Sequence, residues 1–132
     1  MADINYFAVL VASLLGFAIG AAWYSPMMFG VYWMQAVGYE SKQGKMRHPA
    51  IIFGGSFFAL FIVAVNLALF LGPQSTLATG TMYGFFTGFG WVAMAFLVND
   101  LFENRPFQLY FVNAGYQVVT FTVMGAVVGA WH

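Results

Sequence analysis

Four long stretches of this chain contain no aspartate, glutamate, lysine or arginine, and they cover residues 4–24, 49–71, 77–98 and 107–131. A transmembrane helix needs about 20 consecutive, predominantly apolar residues, which each stretch supplies. The hydrocarbon core offers no hydrogen-bond partners, so an uninterrupted apolar run crosses it as a helix, whereas a barrel needs short alternating strands. The pattern predicts an all-α integral membrane protein, a bundle of four transmembrane helices.

Composition leads to the same class of protein. Hydrophobic residues make up 62% of the 132 residues and charged residues 6%, whereas an average soluble domain is about 25% charged. So few charges cannot cover a soluble core, and the length suits a single membrane domain spanning residues 1–132. The formal net charge of zero excludes a basic surface for nucleic acid. The absence of cysteine excludes disulfides and thiolate metal sites.

Most of the charge lies in two connectors, residues 25–48 and 99–106. Their charged residues are Glu40, Lys42, Lys45, Arg47, Asp100, Glu103 and Arg105. All four basic residues therefore lie on one side of the membrane. Because Lys and Arg in short loops favour the cytoplasm, we expect both connectors inside and both termini outside.

Part of the first connector, residues 27–38, is apolar but too short to cross a bilayer. Trp23, Tyr24 and Trp33 lie in or beside it, and aromatic residues with a polar tip are favoured at the membrane interface. Pro26 ends or kinks the preceding helix. We predict a short helix lying in the interface, with a partly buried loop as the alternative.

Small residues recur at four-residue spacing in three of the spans. Residues four apart share a helix face, and small side chains let helices approach closely in lipid. We expect these faces to pack helices together, and at least one to serve a homo-oligomer, most simply a dimer. The residues are Ala12, Gly16, Gly20, Gly80, Gly84, Gly88, Gly125 and Gly129.

A short pattern, G-F-x-x-G-x-x-W, occurs twice, beginning at Gly16 in the first span and at Gly84 in the third. Both spans run in the same direction across the membrane. The match indicates two parallel helical-hairpin repeats.

Uncharged polar side chains follow one stripe of the fourth span, namely Asn113, Tyr116, Gln117 and Thr120, and the second span contributes Asn66. Such groups usually serve as hydrogen-bonding glue between helices, each worth about 0.6–2 kcal/mol. The alternative is that they line a hydrated path. We favour interhelical hydrogen bonding and keep a hydrated path as the second interpretation.

The cluster Asp100, Glu103 and Arg105 follows the third span. Two carboxylates can bind a divalent cation or act in acid–base chemistry, but a solvated helix end whose acids pair with Arg105 is the favoured interpretation. Neither histidine has a helix-spaced ligand partner, and no phosphate loop or nucleophile motif occurs. We expect no metal and no cofactor. Without an ionisable residue inside a span, proton-coupled transport is disfavoured.

Several short motifs together resemble a known family. They are Trp23-Tyr24-Ser25-Pro26 with Phe29-Gly30 and Trp33, Leu101-Phe102-Glu103 with Arg105-Pro106, Asn113-Ala114-Gly115-Tyr116, and Met124-Gly125-Ala126. Over nearly its whole length the chain is similar to the mostly bacterial four-helix membrane proteins catalogued as domain of unknown function 1761. The resemblance implies that fold and the bacterial inner membrane, and it implies no activity. Members often have His where this chain has Gln117, so no proton-handling role is carried over.

These observations favour a non-enzymatic membrane protein, either self-assembling or an accessory subunit of a larger complex. Glycine faces and aromatic bulk dominate over reactive groups, which is the reason for that preference. The alternative is an oligomeric passive channel or facilitator for ions or small solutes, lined by the polar stripe of the fourth span. A second alternative is a membrane-embedded enzyme that uses Asp100 and Glu103 on a lipid-borne substrate.

Overall fold

A computed structural model of the chain describes residues 4–38 and 47–131. The helices are α1 (Tyr6–Trp23), α2 (Gly30–Ala36), α3 (Pro49–Leu71), α4 (Leu77–Phe102) and α5 (Phe107–Ala130). All but α2 are long and apolar enough to cross a membrane, and the described residues contain no strand. The predicted all-α architecture with four spans is confirmed. The charged residues Glu40, Lys42 and Lys45 of the first connector lie outside the described residues.

The starts of three spans carry side-chain caps. The Asn5 side chain accepts two backbone N–H groups at the start of α1. His48 Nδ1 accepts an N–H at the start of α3, where Pro49 occupies the first helical position. Thr76 and Thr79 form a reciprocal capping box at the start of α4. Because the first turn of a helix leaves its N–H groups unpaired, these side chains determine where each helix begins.

The bundle is organised around α5, which contacts α1, α3 and α4. Its buried residue Met124 packs in a core with Val9 and Ala12 of α1 and Leu67 of α3. By contrast, α3 is peripheral, and only 11% of its most apolar window is buried. Most of the α3 surface is therefore available to lipid or to another protein.

Glycines bring α4 and α5 into backbone contact. Gly80 lies against Gly125 and Gly129, and a Cβ added at Gly80 would be 2.8 Å from the Gly129 Cα atom. Gly84 and Gly88 continue the same surface along α4 against the next turns of α5. This close approach maximises van der Waals contact, which holds helices together in lipid. The glycines of this pair of helices are thus covered within the chain.

The glycine face of α1 is also covered by the chain's own helices. A Cβ at Gly16 would be 3.1 Å from the Thr120 methyl group, and a Cβ at Gly20 would be 3.0 Å from the Tyr116 hydroxyl oxygen. The glycine faces considered from the sequence therefore meet neighbouring helices of the same chain.

The two copies of the repeated pattern occupy related but unequal places. Gly16 of α1 lies beside Thr120 of α5, and Gly84 of α4 contacts the adjacent Phe121. The closing tryptophans differ, because Trp23 is half-buried whereas Trp91 is 71% exposed. The duplication stays a prediction. The similar positions of the two glycines support it, whereas the different exposure of the two tryptophans does not.

The short helix of the first connector begins later than the sequence indicates. A tight turn precedes α2, in which the Gly30 N–H donates to the Ser25 carbonyl at 2.9 Å and the Phe29 N–H to the Trp23 carbonyl at 3.0 Å. The turn occupies residues that the sequence assigned to the 27–38 helix. The placement of α2 in the membrane interface stays a prediction.

Helix α4 contains a π-helical turn, Gly88–Ala93, which the sequence analysis did not predict. The Tyr110 hydroxyl of α5 donates to the Ala93 carbonyl at the end of this turn, at 2.9 Å. Beyond it, α4 continues to Phe102, one turn past the predicted end at residue 98. Asp100 therefore belongs to the last turn of the helix and not to the connector.

Candidate functional site

Two distant segments of the chain meet at one end of the bundle, where α1 and α4 finish and α3 and α5 begin. We call it the charged end, because it carries Arg47, Asp100, Glu103 and Arg105. There the Trp23 indole N–H donates to the Val112 carbonyl at 2.9 Å. The Tyr24 hydroxyl donates to Asn113 Oδ1 at 2.7 Å. These bonds tie the C-terminal end of α1 to the first turns of α5.

The aromatic residues predicted for the interface form one cluster at the charged end. The Tyr24 ring centroid lies 4.9 Å from that of Trp33 and 5.5 Å from that of Tyr116. The Trp23 ring lies 5.0 Å from that of Phe29. Aromatic pairs at such separations add about 0.5–1.5 kcal/mol beyond their buried area. Residues of α1, α2 and α5 are thereby held in one arrangement.

Two glycines make room for this cluster. At Gly30 a Cβ atom would lie 2.7 Å from the Ser25 carbonyl oxygen, so only glycine fits the turn before α2. At Gly115 a Cβ would lie 3.0 Å from the Trp23 ring. Both glycines belong to the motifs that carried the family resemblance, and the close contacts at these positions explain why a side chain is disfavoured there.

The polar stripe of α5 is largely engaged with α1. Besides the bond from Tyr24 to Asn113, the Tyr116 hydroxyl donates to the Gly16 carbonyl at 3.1 Å. Thr120 is fully buried and Gln117 is half-buried. The structure thus brings Asn113, Tyr116 and Thr120 together on the surface between α1 and α5.

Asn66 does not join this stripe. Its side chain is exposed on α3, and its amide nitrogen donates to the Ile62 carbonyl of the same helix at 2.8 Å. Gly55, Ala59 and Ile62 are exposed on the same side at helical spacing, and a Cβ added at Gly55 would meet nothing within 4 Å. We call Gly55, Ala59, Ile62 and Asn66 the α3 outer face.

The two carboxylates predicted as a pair both lie at the end of α4, Asp100 in its last turn and Glu103 as its C-cap residue. Glu103 follows the helix and accepts from Arg105 Nε at 2.7 Å. The Asp100 Oδ2 atom is buried and has no hydrogen-bond partner among the described residues. No group of three potential metal ligands occurs in 4–38 or 47–131. Glu103 therefore has the ion pair expected of a helix end, and Asp100 does not.

A cavity of about 720 Å³ lies beside the aromatic cluster, between α1 and α3. Cavities of about 300–1,000 Å³ are typical of ligand sites. Apolar groups cover most of its wall, and Arg47, Tyr24, Trp33 and Tyr116 bring polar atoms to it. The lining is Phe17, Gly20, Ala21, Tyr24, Trp33, Arg47, Pro49, Ile52, Phe53, Ser56, Leu60 and Tyr116.

The family described as "Protein of unknown function (DUF1761)" matches residues 7–129 of the chain. The chain belongs to this family. The match includes all four membrane helices except the first residue of α1 and the last of α5. No curated protein and no solved structure matches the chain. The fold of this DUF1761 chain and its four apolar spans make it a multi-pass membrane protein.

The structure brings together several of the motif residues that indicated the resemblance to DUF1761. Trp23, Tyr24 and Trp33 meet Asn113 and Tyr116 at the charged end. Sequence reasoning missed the α3 side of the cavity, residues Pro49, Ile52, Phe53 and Ser56. Their spacing of three and four residues places them on one face of α3. The sequence does not distinguish this face from the others, because every face of α3 is predominantly apolar.

Proposed function

We propose that the protein is a non-enzymatic membrane subunit that assembles with a second copy of itself through the α3 outer face. Asn66 carries the proposal, because it exposes an amide on a helix that is predominantly apolar and largely uncovered. An amide transferred into a medium without hydrogen-bond partners costs about 4–8 kcal/mol. The bond to the Ile62 carbonyl satisfies only one of the four hydrogen bonds that this side chain can make.

A two-fold dimer with its axis along the membrane normal supplies the missing partners. In such a dimer the α3 helices of the two copies run parallel and place identical residues at the same depth. The two Asn66 side chains then face each other and exchange hydrogen bonds. Interhelical bonds of this kind contribute about 0.6–2 kcal/mol each in a bilayer.

Small residues on the same face allow the approach that those bonds require. Gly55 and Ala59 are four residues apart and exposed, with open space beyond Gly55. Gly80, Gly84 and the other glycines considered from the sequence contact neighbouring helices of the chain. The α3 outer face combines exposed small residues with an exposed amide, which suits contact with a second copy.

The channel and enzyme alternatives have less support. Asn113 and Tyr116, which would line a path, are bonded to α1. Glu103 is paired with Arg105, which leaves Asp100 as the remaining carboxylate at the end of α4. We further propose the bacterial inner membrane with the charged end in the cytoplasm, since the described Arg47 and Arg105 both lie there.

Single-cysteine cross-linking tests the dimer, because the natural chain has no cysteine. Ile62→Cys introduces a thiol on the α3 outer face, and Phe86→Cys introduces one at an exposed position of a different helix, α4. After reconstitution and mild oxidation, we expect a cross-linked dimer from Ile62→Cys and little from Phe86→Cys.

Adding Asn66→Leu to Ile62→Cys separates assembly from random collision. This change should reduce the cross-linked fraction severalfold, because it removes the interhelical hydrogen bonds while keeping an apolar surface. Equal cross-linking of the two cysteine variants, or no effect of Asn66→Leu, would overturn the proposal. Cross-linking of Ile62→Cys to a different membrane protein in native membranes would make the chain an accessory subunit.

A further inference from the structure

The cavity between α1 and α3 extends from the charged end about halfway through the bundle. On α3 its lining runs from Pro49 to Leu60, twelve residues or about 16 Å of helix. The hydrocarbon core is about 30 Å thick. The cavity therefore has the depth of a single leaflet.

The cavity wall carries its charge at one end and becomes mainly apolar along this depth. The hydroxyls of Ser56 and Tyr116 in the inner half already donate to the Ile52 and Gly16 carbonyls. Arg47, just before the first residue of α3, and Trp33 of α2 lie at the charged end. Phe17 and Leu60 lie at the inner end. Phe53, between them, is 59% exposed, so the cavity opens to the outside of the bundle. This change from a cation to a mainly hydrocarbon wall matches the polarity of a lipid molecule along its length.

The two described arginines of the charged end differ in their surroundings. Arg105 donates to Glu103 at 2.7 Å. Arg47 makes no ion pair within residues 4–38 and 47–131, and its side chain is part of the cavity wall. A guanidinium forms paired hydrogen bonds with the oxygens of a phosphate group. Basic pockets between membrane helices on the cytoplasmic side are known to bind anionic headgroups.

From this arrangement we infer that the cavity binds an anionic phospholipid of the surrounding leaflet. Its phosphate lies at Arg47, and one acyl chain lies along Phe17, Phe53 and Leu60. Tyr24 and Trp33 border the glycerol region, at the depth where aromatic residues with a polar tip are favoured. The inference does not depend on the dimer, because the cavity and the α3 outer face are different sides of α3.

Lipid titration of the delipidated full-length protein in detergent, followed by native mass spectrometry, tests the inference. The probes are phosphatidylglycerol and phosphatidylcholine with identical acyl chains. We expect the first lipid-bound species to form at about fivefold lower concentration of phosphatidylglycerol, the preference that one basic residue typically confers.

Arg47→Gln should abolish this preference while leaving binding of phosphatidylcholine unchanged. Arg105→Gln, which removes the other described arginine of the charged end, should keep the preference. An Arg47→Gln protein that still prefers phosphatidylglycerol, or an Arg105→Gln protein that loses the preference, would overturn the assignment of the headgroup to Arg47.

Filling the cavity tests the acyl-chain part. Ser56→Trp, and independently Ile52→Trp at the rim, should weaken binding of both lipids, whereas Ala95→Trp on the exposed surface of α4 should not. Circular dichroism identifies a variant that fails to fold. The other cavity-filling variant then tests whether the acyl chain lies in the cavity. Undiminished binding to a folded cavity-filled variant would show that the lipid lies elsewhere.

Discussion

At the scale of single residues, glycine has two different roles in this protein. Gly84 in α4 lies against the backbone of α5, where a Cβ would meet the Phe121 carbonyl. Gly54 in α3 has nothing within 4 Å of the same hypothetical atom. The sequence shows both as glycines in an apolar helix. The difference between them lies in the neighbouring helix, and a pair of alanine substitutions measures it.

Gly84→Ala should lower the free energy of unfolding by about 1–3 kcal/mol, because the added methyl forces two backbones apart. Gly54→Ala should raise it by about 0.5–1 kcal/mol, since alanine loses less backbone entropy in a helix. The two variants are compared by titrating the detergent-solubilised protein with sodium dodecyl sulfate and following helix content. Equal effects would contradict the contact at Gly84.

At the scale of helices, the least expected feature is the π turn Gly88–Ala93 in α4. Such turns carry an extra residue and leave a carbonyl group poorly paired along the helix, and they often mark functional positions. Here the Tyr110 hydroxyl of α5 reaches the Ala93 carbonyl, and both residues are buried. The tyrosine couples the irregular part of α4 to the first turns of α5.

Tyr110→Phe should therefore destabilise the protein by about 1 kcal/mol, the usual size of an interhelical hydrogen bond in a membrane. It should also speed amide exchange at the π turn. Tyr83→Phe is the matched control, because Tyr83 is 42% exposed and only its ring is in contact, with Phe70 at 5.9 Å. Comparable losses from both changes would argue against a special role for the bond to Ala93.

At the scale of the whole molecule, the two ends of the bundle are unlike. The charged end holds the described basic residues Arg47 and Arg105. The opposite end closes with a turn at Gly72, where φ is 76°. There the Ser75 hydroxyl donates to the Gly129 carbonyl at 3.2 Å. Such an asymmetry orients a membrane protein, because basic residues in short loops are retained in the cytoplasm.

Reporter fusions test this orientation. Alkaline phosphatase, which is active only outside the cytoplasm, should be active when fused after Trp131 and inactive when inserted into residues 39–46. Green fluorescent protein, which fluoresces when folded inside, should give the opposite pattern. An active phosphatase in the first connector would reverse the topology and remove the cytoplasmic leaflet as the source of the lipid bound at Arg47.

The structure brings predicted site residues together where they share one face of a helix. Asn113, Tyr116 and Thr120 lie together because three- and four-residue spacing determines a face of α5. Asn66 was assigned to the same path, but it lies on the outside of α3. Asp100 and Glu103 lie three residues apart at the end of α4, in its last turn and at its C-cap, but among the described residues only Glu103 has an ion pair. Spacing along a chain gives no information about which side of one helix faces another.

The number and helical nature of the spans follow from the sequence alone, because in lipid each segment has to satisfy its own backbone hydrogen bonds. The arrangement of the helices does not follow, because the spans are apolar on every side and lipid is as apolar as a neighbouring helix. Only the tertiary structure places α5 at the centre, pairs Gly80 with Gly125, joins Tyr24 to Asn113 and leaves a cavity beside Arg47. These contacts depend on shape and on directed hydrogen bonds between distant segments, which hydropathy does not encode.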